Sequence, residues 1–267
     1  MNSLILTHNS NSFDFEFIDE LSGFEYPTKV VVTEDTPSRE GTLYVDALFR
    51  KRRLSWRGML DNGTALQKRR DLISSAGSRT LGTLTFTTLD NINLQSDIQV
   101  ERISMDYVNK RSVYLIEAIA PDYRFFSQTL TTVSTVPTVQ TGGTSIPTPI
   151  PMSFGNVQGV PNLNVNNSGN ENASPIFTLT GAGTSFTVQN ITTGEMFKIT
   201  FNLPSGQTIV IDTNSKTVLL GNQNAYSTFT GTFFELTPGS NIIHFTATGS
   251  DANTLLTISY RSAYLGV

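Results

Sequence analysis

Residues 197–203 read FKITFNL, and in this stretch apolar side chains alternate with polar or charged ones. The same alternation recurs in TIVID at 208–212, IHFTA at 243–247 and LTISY at 256–260. A period of two residues is typical of a β-strand that buries one face. Turns rich in Gly, Pro, Asn and Ser separate these runs. The C-terminal half is therefore predicted to form an antiparallel β-sandwich.

Charge divides the chain into two halves. Residues 1–128 carry 15 Lys/Arg and 17 Asp/Glu, whereas residues 129–267 carry 3 and 5. Between the halves the sequence is rich in Thr, Ser and Gly, and prolines at 147, 149 and 151 favour extended backbone. These shifts predict three regions: a domain at 1–130, an extended connector at 131–150 and a second domain at 151–267.

The N-terminal half combines strands with one predicted helix. Period-two alternation predicts strands around 13–17, 43–47, 54–58, 81–89, 98–107 and 113–120. The helix is predicted from Thr64, as N-cap, to Ala76, with Gly77 just beyond its end. On it, one stripe carries Leu66, Arg69, Arg70 and Ile73, and beside that stripe lie Ala65, Leu72 and Ala76. The predicted fold class is mainly β, with an α+β N-terminal domain (a β-sandwich with one helix) followed by a second β-sandwich.

Composition excludes several classes of function. The 267 residues include no Cys and only two His, His8 and His244, so disulfides, thiol catalysis and multi-histidine zinc sites are excluded. The net charge of −4 argues against a dedicated DNA binder. There is no apolar run long enough to cross a bilayer and no signal-peptide pattern at the start. His244 is predicted to face solvent, His8 is given no functional role, and no catalytic motif is found, so we expect no enzyme, cofactor or metal.

The most conspicuous cluster of charge is Arg50-Lys51-Arg52-Arg53. Phe49 and Leu54 flank it, as they would at the bend of a hairpin. Three interpretations remain open: an exposed or interface hairpin, ion pairing with another subunit, or contact with nucleic acid.

The order of motifs resembles that of the distal tail protein (Dit) family of long, non-contractile-tailed bacteriophages. The N-terminal half carries LSWRGML at 54–60 and APDYRF at 120–125, and PIPMSFG follows at 149–155. The C-terminal half carries VQNITTG at 188–194, VIDT at 210–213, LGN at 220–222, LTPGSN at 236–241 and ISYR at 258–261.

This resemblance implies a function that composition alone does not indicate. It implies a homohexameric ring made by the N-terminal domains, with galectin-like C-terminal domains at the periphery. The ring would join the tail tube protein to a tail-associated lysin or tail-tip hub protein, with receptor-binding proteins as further partners, and DNA would pass through the lumen. The protein would lie at the distal end of the virion tail after synthesis in the host cytoplasm. A different β-rich tube or baseplate protein and a carbohydrate-binding receptor-recognition module are the alternatives.

A ring of this kind suggests a use for the basic cluster. We expect Arg50, Lys51, Arg52 and Arg53 to lie away from the lumen or to be neutralised by a neighbouring N-terminal domain. The candidate carboxylates are Asp14, Glu16, Asp19 and Glu20.

Overall fold

A computed structural model describes residues 1, 3–35, 40–60, 65–77, 79–108, 111–138 and 162–266. The chain divides into two compact units. Unit 1 comprises Met1–Thr129 and the C-terminal residues Ala263–Val267, and unit 2 comprises Leu130–Ser262.

Unit 1 is a β-sheet domain that carries a helix. Its elements before unit 2 are β1 (Ser3–His8), β2 (Asn11–Asp14), β3 (Ile18–Ser22), β4 (Lys29–Asp35), β5 (Thr42–Phe49), β6 (Arg52–Leu60), α1 (Ala65–Ala76), β7 (Gly82–Thr87), β8 (Asn93–Val108), β9 (Arg111–Ala120) and β10 (Phe125–Ser127). The main sheet has the strand order β2-β1-β7-β8-β9-β6-β3, and β10 pairs with β8.

The 16-residue strand β8 joins the two parts of this sheet. Its first residues pair with β7, and from Gln99 onward it pairs with β9. The register shifts between Val100 and Arg102, just after the partner of β8 has changed from β7 to β9. A bulge of this kind bends a strand, so a single strand can serve both parts.

Helix α1 packs against β1 and β2 with a face that differs from the predicted stripe. Leu72 and Ser75 are buried, whereas Leu66 is 75% exposed and Ile73 is 53% exposed. The stripe that contains Leu66 and Ile73 therefore points away from the core of unit 1. The predicted N-cap, Thr64, lies outside the described residues.

Unit 2 consists of two antiparallel sheets. Its strands are β11 (Thr131–Thr135), β12 (Leu163–Asn167), β13 (Ile176–Thr180), β14 (Gly183–Asn190), β15 (Met196–Leu203), β16 (Thr208–Asp212), β17 (Thr217–Leu220), β18 (Gln223–Asn224), β19 (Phe229–Gly231), β20 (Gly239–Thr248) and β21 (Leu255–Tyr260). The sheets have the orders β11-β21-β13-β16-β17-β18 and β12-β20-β14-β15-β19.

Aromatic side chains from both sheets meet in the core of unit 2. The ring of Phe177 on β13 lies 5.1 Å from that of Phe197 on β15, in an edge-on arrangement. Ile243 and Phe245 on β20 are also buried, as their alternation predicts. Two facing sheets with interdigitated inner side chains define a β-sandwich, so the predicted mainly-β fold class is confirmed.

The chain returns to unit 1 after unit 2. Strand β22 (Ala263–Tyr264) pairs with β10, with Phe125 opposite Tyr264. Unit 2 is therefore inserted between two neighbouring strands of unit 1. This differs from the predicted boundaries in two places, because the C-terminal residues belong to unit 1 and residues 131–135 of the predicted connector form β11. Residues 139–150 of the connector lie outside the described residues.

Candidate assembly interface

The pleat of β6 divides the basic cluster. Strand β6 begins at Arg52, which lies opposite Ala120 of β9. Successive side chains of a strand point to opposite faces, so Arg52 faces inward together with Leu54 and Trp56. Arg52 is only 3% exposed, whereas Arg53 faces solvent.

Arg52 binds four backbone carbonyl oxygens of unit 1. Its guanidinium donates from Nε to Tyr123 at 2.9 Å, from Nη1 to Gly23 and Glu25 at 3.1 Å each, and from Nη2 to Leu265. The acceptors come from three separate segments of the chain. Arg52 thus connects the loop after β3, the loop before β10 and the C-terminal residues.

Arg52 stays charged at neutral pH despite its burial. Its guanidinium carbon lies 4.0 Å from the centroid of the Phe125 ring, a cation–π contact. Burial lowers the pKa of Arg52 to about 10, and the nearby charges of Glu25 and Asp122 act in the opposite direction. Arg52 therefore has a structural role within one protomer, and its assignment to a subunit interface stays a prediction.

Gly23 provides a test of this cluster. Its φ is +85°, and a Cβ at this position would lie 1.9 Å from the carbonyl oxygen of Arg53. We expect Gly23→Ala to lower the free energy of unfolding of unit 1 by about 2–4 kcal/mol, because left-handed strain and a backbone clash add together. Chemical denaturation followed by Trp56 fluorescence measures this. Gly41→Ala is the control: its φ is +94° but nothing lies within 4 Å, so a loss equal to that of Gly23→Ala would contradict the clash.

The other members of the predicted cluster lie at the surface. Arg50 and Lys51 are exposed, and Arg53 Nη1 lies 3.6 Å from Glu101 Oε2. Of the acidic candidates, Glu16 binds Lys68 of α1 at 2.8 Å, and the other three, Asp14, Asp19 and Glu20, are exposed. Among the residues that the structure describes, no ion pair joins the basic cluster to these four acids within the protomer.

A second surface was not identified from the sequence. Strands β4 and β5 form a hairpin that pairs with no other strand in the described part of the chain, and we call it the arm. At its base the Phe49 ring stacks on Tyr123 at 4.4 Å, and Lys29 Nζ lies 4.6 Å from the Phe49 ring centroid. Beyond the base, seven large apolar residues are exposed: Val30, Val31, Val32, Leu43, Tyr44, Val45 and Leu48. Three consecutive valines were the sequence signal for this surface, since a strand that is apolar on both faces is normally buried on both.

The two histidines have ordinary hydrogen-bond partners. His8 is buried at the end of β1, where its Nε2 lies 2.7 Å from Thr80 Oγ1. His244 is half-buried on the face of β20 opposite Ile243 and Phe245, and its Nδ1 lies 2.9 Å from Asn162 Oδ1. In the described ranges, no group of three or more His, Asp or Glu side chains is arranged to hold a metal ion. No α-helix among these residues has the length and apolarity needed to cross a membrane.

Comparison with known proteins finds a family match over most of unit 2. Residues 168–264 match the family model SPP1_Dit, described as a siphovirus-type tail component, C-terminal domain. No curated protein matches the chain.

Solved structures match over nearly the whole chain. One is the Dit protein (gp 19.1) of SPP1, described as a paradigm of the hub adsorption apparatus in phages that infect Gram-positive bacteria; it shares 11% identity, with 96% of this chain and 98% of that chain covered and a TM-score of 0.66. Chains of the phage P2 baseplate in its activated conformation also align. The calcium form has 11% identity, 97% coverage of each chain and a TM-score of 0.47; the strontium form has 10% identity, 96% and 97% coverage and a TM-score of 0.48.

Two findings therefore agree: residues 168–264 match the C-terminal domain of a siphovirus-type tail component, and the chain shares the fold of SPP1 Dit. They support the distal tail protein (Dit) family, and the resemblance found in the sequence is confirmed.

Proposed function

We propose that the protein is the structural adaptor at the distal end of a siphovirus-type tail. Six copies form a ring that joins the tail tube protein to a tail-associated lysin or tail-tip hub protein, and DNA passes through the lumen without specific binding. The observation that carries this proposal is the tail-component match over residues 168–264. The fold shared with SPP1 Dit along 96% of the chain supports it. The adaptor has no enzymatic activity in this proposal, and receptor-binding proteins are further partners.

Unit 1 supplies the charged surface for contacts between copies. Arg52 is buried, so the exposed cations of the basic cluster are Arg50, Lys51 and Arg53. Asp14, Asp19 and Glu20 are exposed acids. Pairs of this kind contribute little singly, about 0–1 kcal/mol each, and salt screens them. Repeated around a closed ring they set the register of neighbouring subunits.

Electron microscopy of the purified protein tests this proposal. Negative-stain images are expected to show rings with six-fold symmetry and a central opening. Images that contain only single compact particles at every protein concentration would contradict it.

Sugar binding by unit 2 is a second candidate function, favoured by one observation. Tyr226 is 52% exposed, its ring lies 6.0 Å from that of Phe233, and Phe233 stacks on Phe229 at 4.1 Å. An exposed ring backed by other rings offers a rigid apolar face to a ligand. A glycan array measures this: binding that Tyr226→Ala abolishes would support the module, and an array without signal would contradict it.

A further inference from the structure

The arm exposes a large apolar surface for a hairpin that pairs with no other strand in the described part of the chain. A two-stranded hairpin is at best marginally stable alone, and third strands or packing partners normally stabilise it. Contiguous exposed apolar patches are also typical of interaction sites. The seven large apolar residues of the arm are exposed in the protomer, so the arm has the character of an interaction site.

One face of the arm combines apolar side chains with carboxylates. Strand pairing places Val30 opposite Leu48, Val32 opposite Asp46 and Glu34 opposite Leu43. Directly paired residues, and residues two apart on a regular strand, share a face of a sheet. The register shifts by one residue between Val32 and Thr33, so Leu43 stays on this face although it lies three residues from Asp46. This acidic arm face therefore carries four apolar side chains and two negative charges.

Helix α1 carries a surface with the complementary character. Residues three, four and seven apart lie on one side of a helix, so Leu66, Arg69, Arg70 and Ile73 form a single strip, which we call the outer helix face. Leu66 and Ile73 are largely exposed, and both arginines are exposed between them. The core side of the helix is occupied by Leu72, so the outer helix face is left for a partner.

We infer that the acidic arm face of one copy binds the outer helix face of the next copy in the ring. Two carboxylates meet two guanidinium groups, and apolar side chains flank the charges on both surfaces, so the surfaces match in charge and polarity. Every copy offers one arm and one helix, and such a head-to-tail contact closes into a ring with no unused surface. The inference rests on the proposed ring function and names the surfaces that build it.

Charge reversal with mixing tests this pairing. The arm variant is Glu34→Lys with Asp46→Lys, and the helix variant is Arg69→Glu with Arg70→Glu. In each variant alone, like charges face each other, so the protein concentration needed for assembly is expected to rise about tenfold or more. An equimolar mixture restores assembly, because each reversed arm then meets a reversed helix and each native arm meets a native helix. Native mass spectrometry counts the copies, and Trp56 fluorescence confirms that each variant is folded.

The mixing experiment separates this inference from the proposed function. If both variants form rings at the wild-type concentration, the arm-to-helix contact is wrong and the ring function stands. If both variants are folded and fail to assemble even when mixed, the arm binds another surface and the inference is overturned. A wild-type protein that stays monomeric at all concentrations would overturn the ring and the contact together.

Discussion

Arg52→Met is expected to lower the free energy of unfolding of unit 1 by about 3–5 kcal/mol. The substitution leaves carbonyl oxygens of Gly23, Glu25, Tyr123 and Leu265 without their shared donor in a buried place, and each unsatisfied polar group costs about 1–3 kcal/mol. Methionine retains much of the volume, so the loss reports mainly the hydrogen bonds. Lysine would not rescue it, because an ammonium cannot reproduce the planar guanidinium geometry.

The neighbouring residue provides a matched control. Arg53 is exposed and makes a single surface ion pair with Glu101, so Arg53→Met is expected to change the free energy of unfolding by less than about 1 kcal/mol. The chain has one tryptophan, Trp56, which is buried in unit 1, so its fluorescence in a urea series follows that unit. Equal losses for the two variants would contradict the role assigned to Arg52.

Removal of residues 263–267 is expected to destabilise unit 1 although these residues follow unit 2 in sequence. The truncation removes β22 from its pairing with β10, the fully buried Ala263 and the Leu265 acceptor of Arg52. Lost burial and lost hydrogen bonds together amount to roughly 2–4 kcal/mol. Trp56 fluorescence is expected to show the loss, while the denaturation midpoint of unit 2, followed by circular dichroism, stays unchanged. A truncated chain with wild-type stability in unit 1 would show that β22 contributes nothing.

Cleavage in the connector also tests the insertion of unit 2 between β10 and β22 of unit 1. A specific protease site placed between residues 141 and 146 would cut the chain within unit 2, after β11. The fragments are expected to co-elute in size-exclusion chromatography and to separate only in denaturant, because the C-terminal fragment still supplies β22 to β10 and β21 to β11. Release of the C-terminal fragment under native conditions would contradict these pairings.

Period-two alternation was sufficient to predict most of the core. In FKITFNL, Phe197, Ile199 and Leu203 are buried, as the rule requires, and Phe201 is partly buried, because both sheets of unit 2 come from nearby sequence and each covers the other. The rule failed where the chain left the strand. Phe17 continues the spacing of Phe13 and Phe15, yet its φ of +52° turns the backbone and its side chain is exposed.

The role of Arg52 was partly visible in the sequence. Arg52 shares its alternation with Leu54 and Trp56, so the same rule extended by one step would have placed it inside. The hydrogen-bond acceptors of its guanidinium group could not be predicted, because one of them, Leu265, is 213 residues away along the chain.

The arm shows a different limit of sequence analysis. Its valines were compatible with a buried strand, yet Val30, Val31 and Val32 are exposed in the protomer. Charge patterning drew attention to Arg50, Lys51, Arg52 and Arg53, whereas the larger exposed apolar surface carried no motif. Surfaces that are completed only by assembly must be found from the fold.

Native mass spectrometry of the purified wild-type protein tests the ring most directly. The predicted result is a dominant particle of six times the 29.2 kDa chain mass, which loses subunits as salt concentration rises because charged surfaces contribute to its contacts. A spectrum with only monomers and dimers across the accessible protein concentrations would contradict the hexameric adaptor.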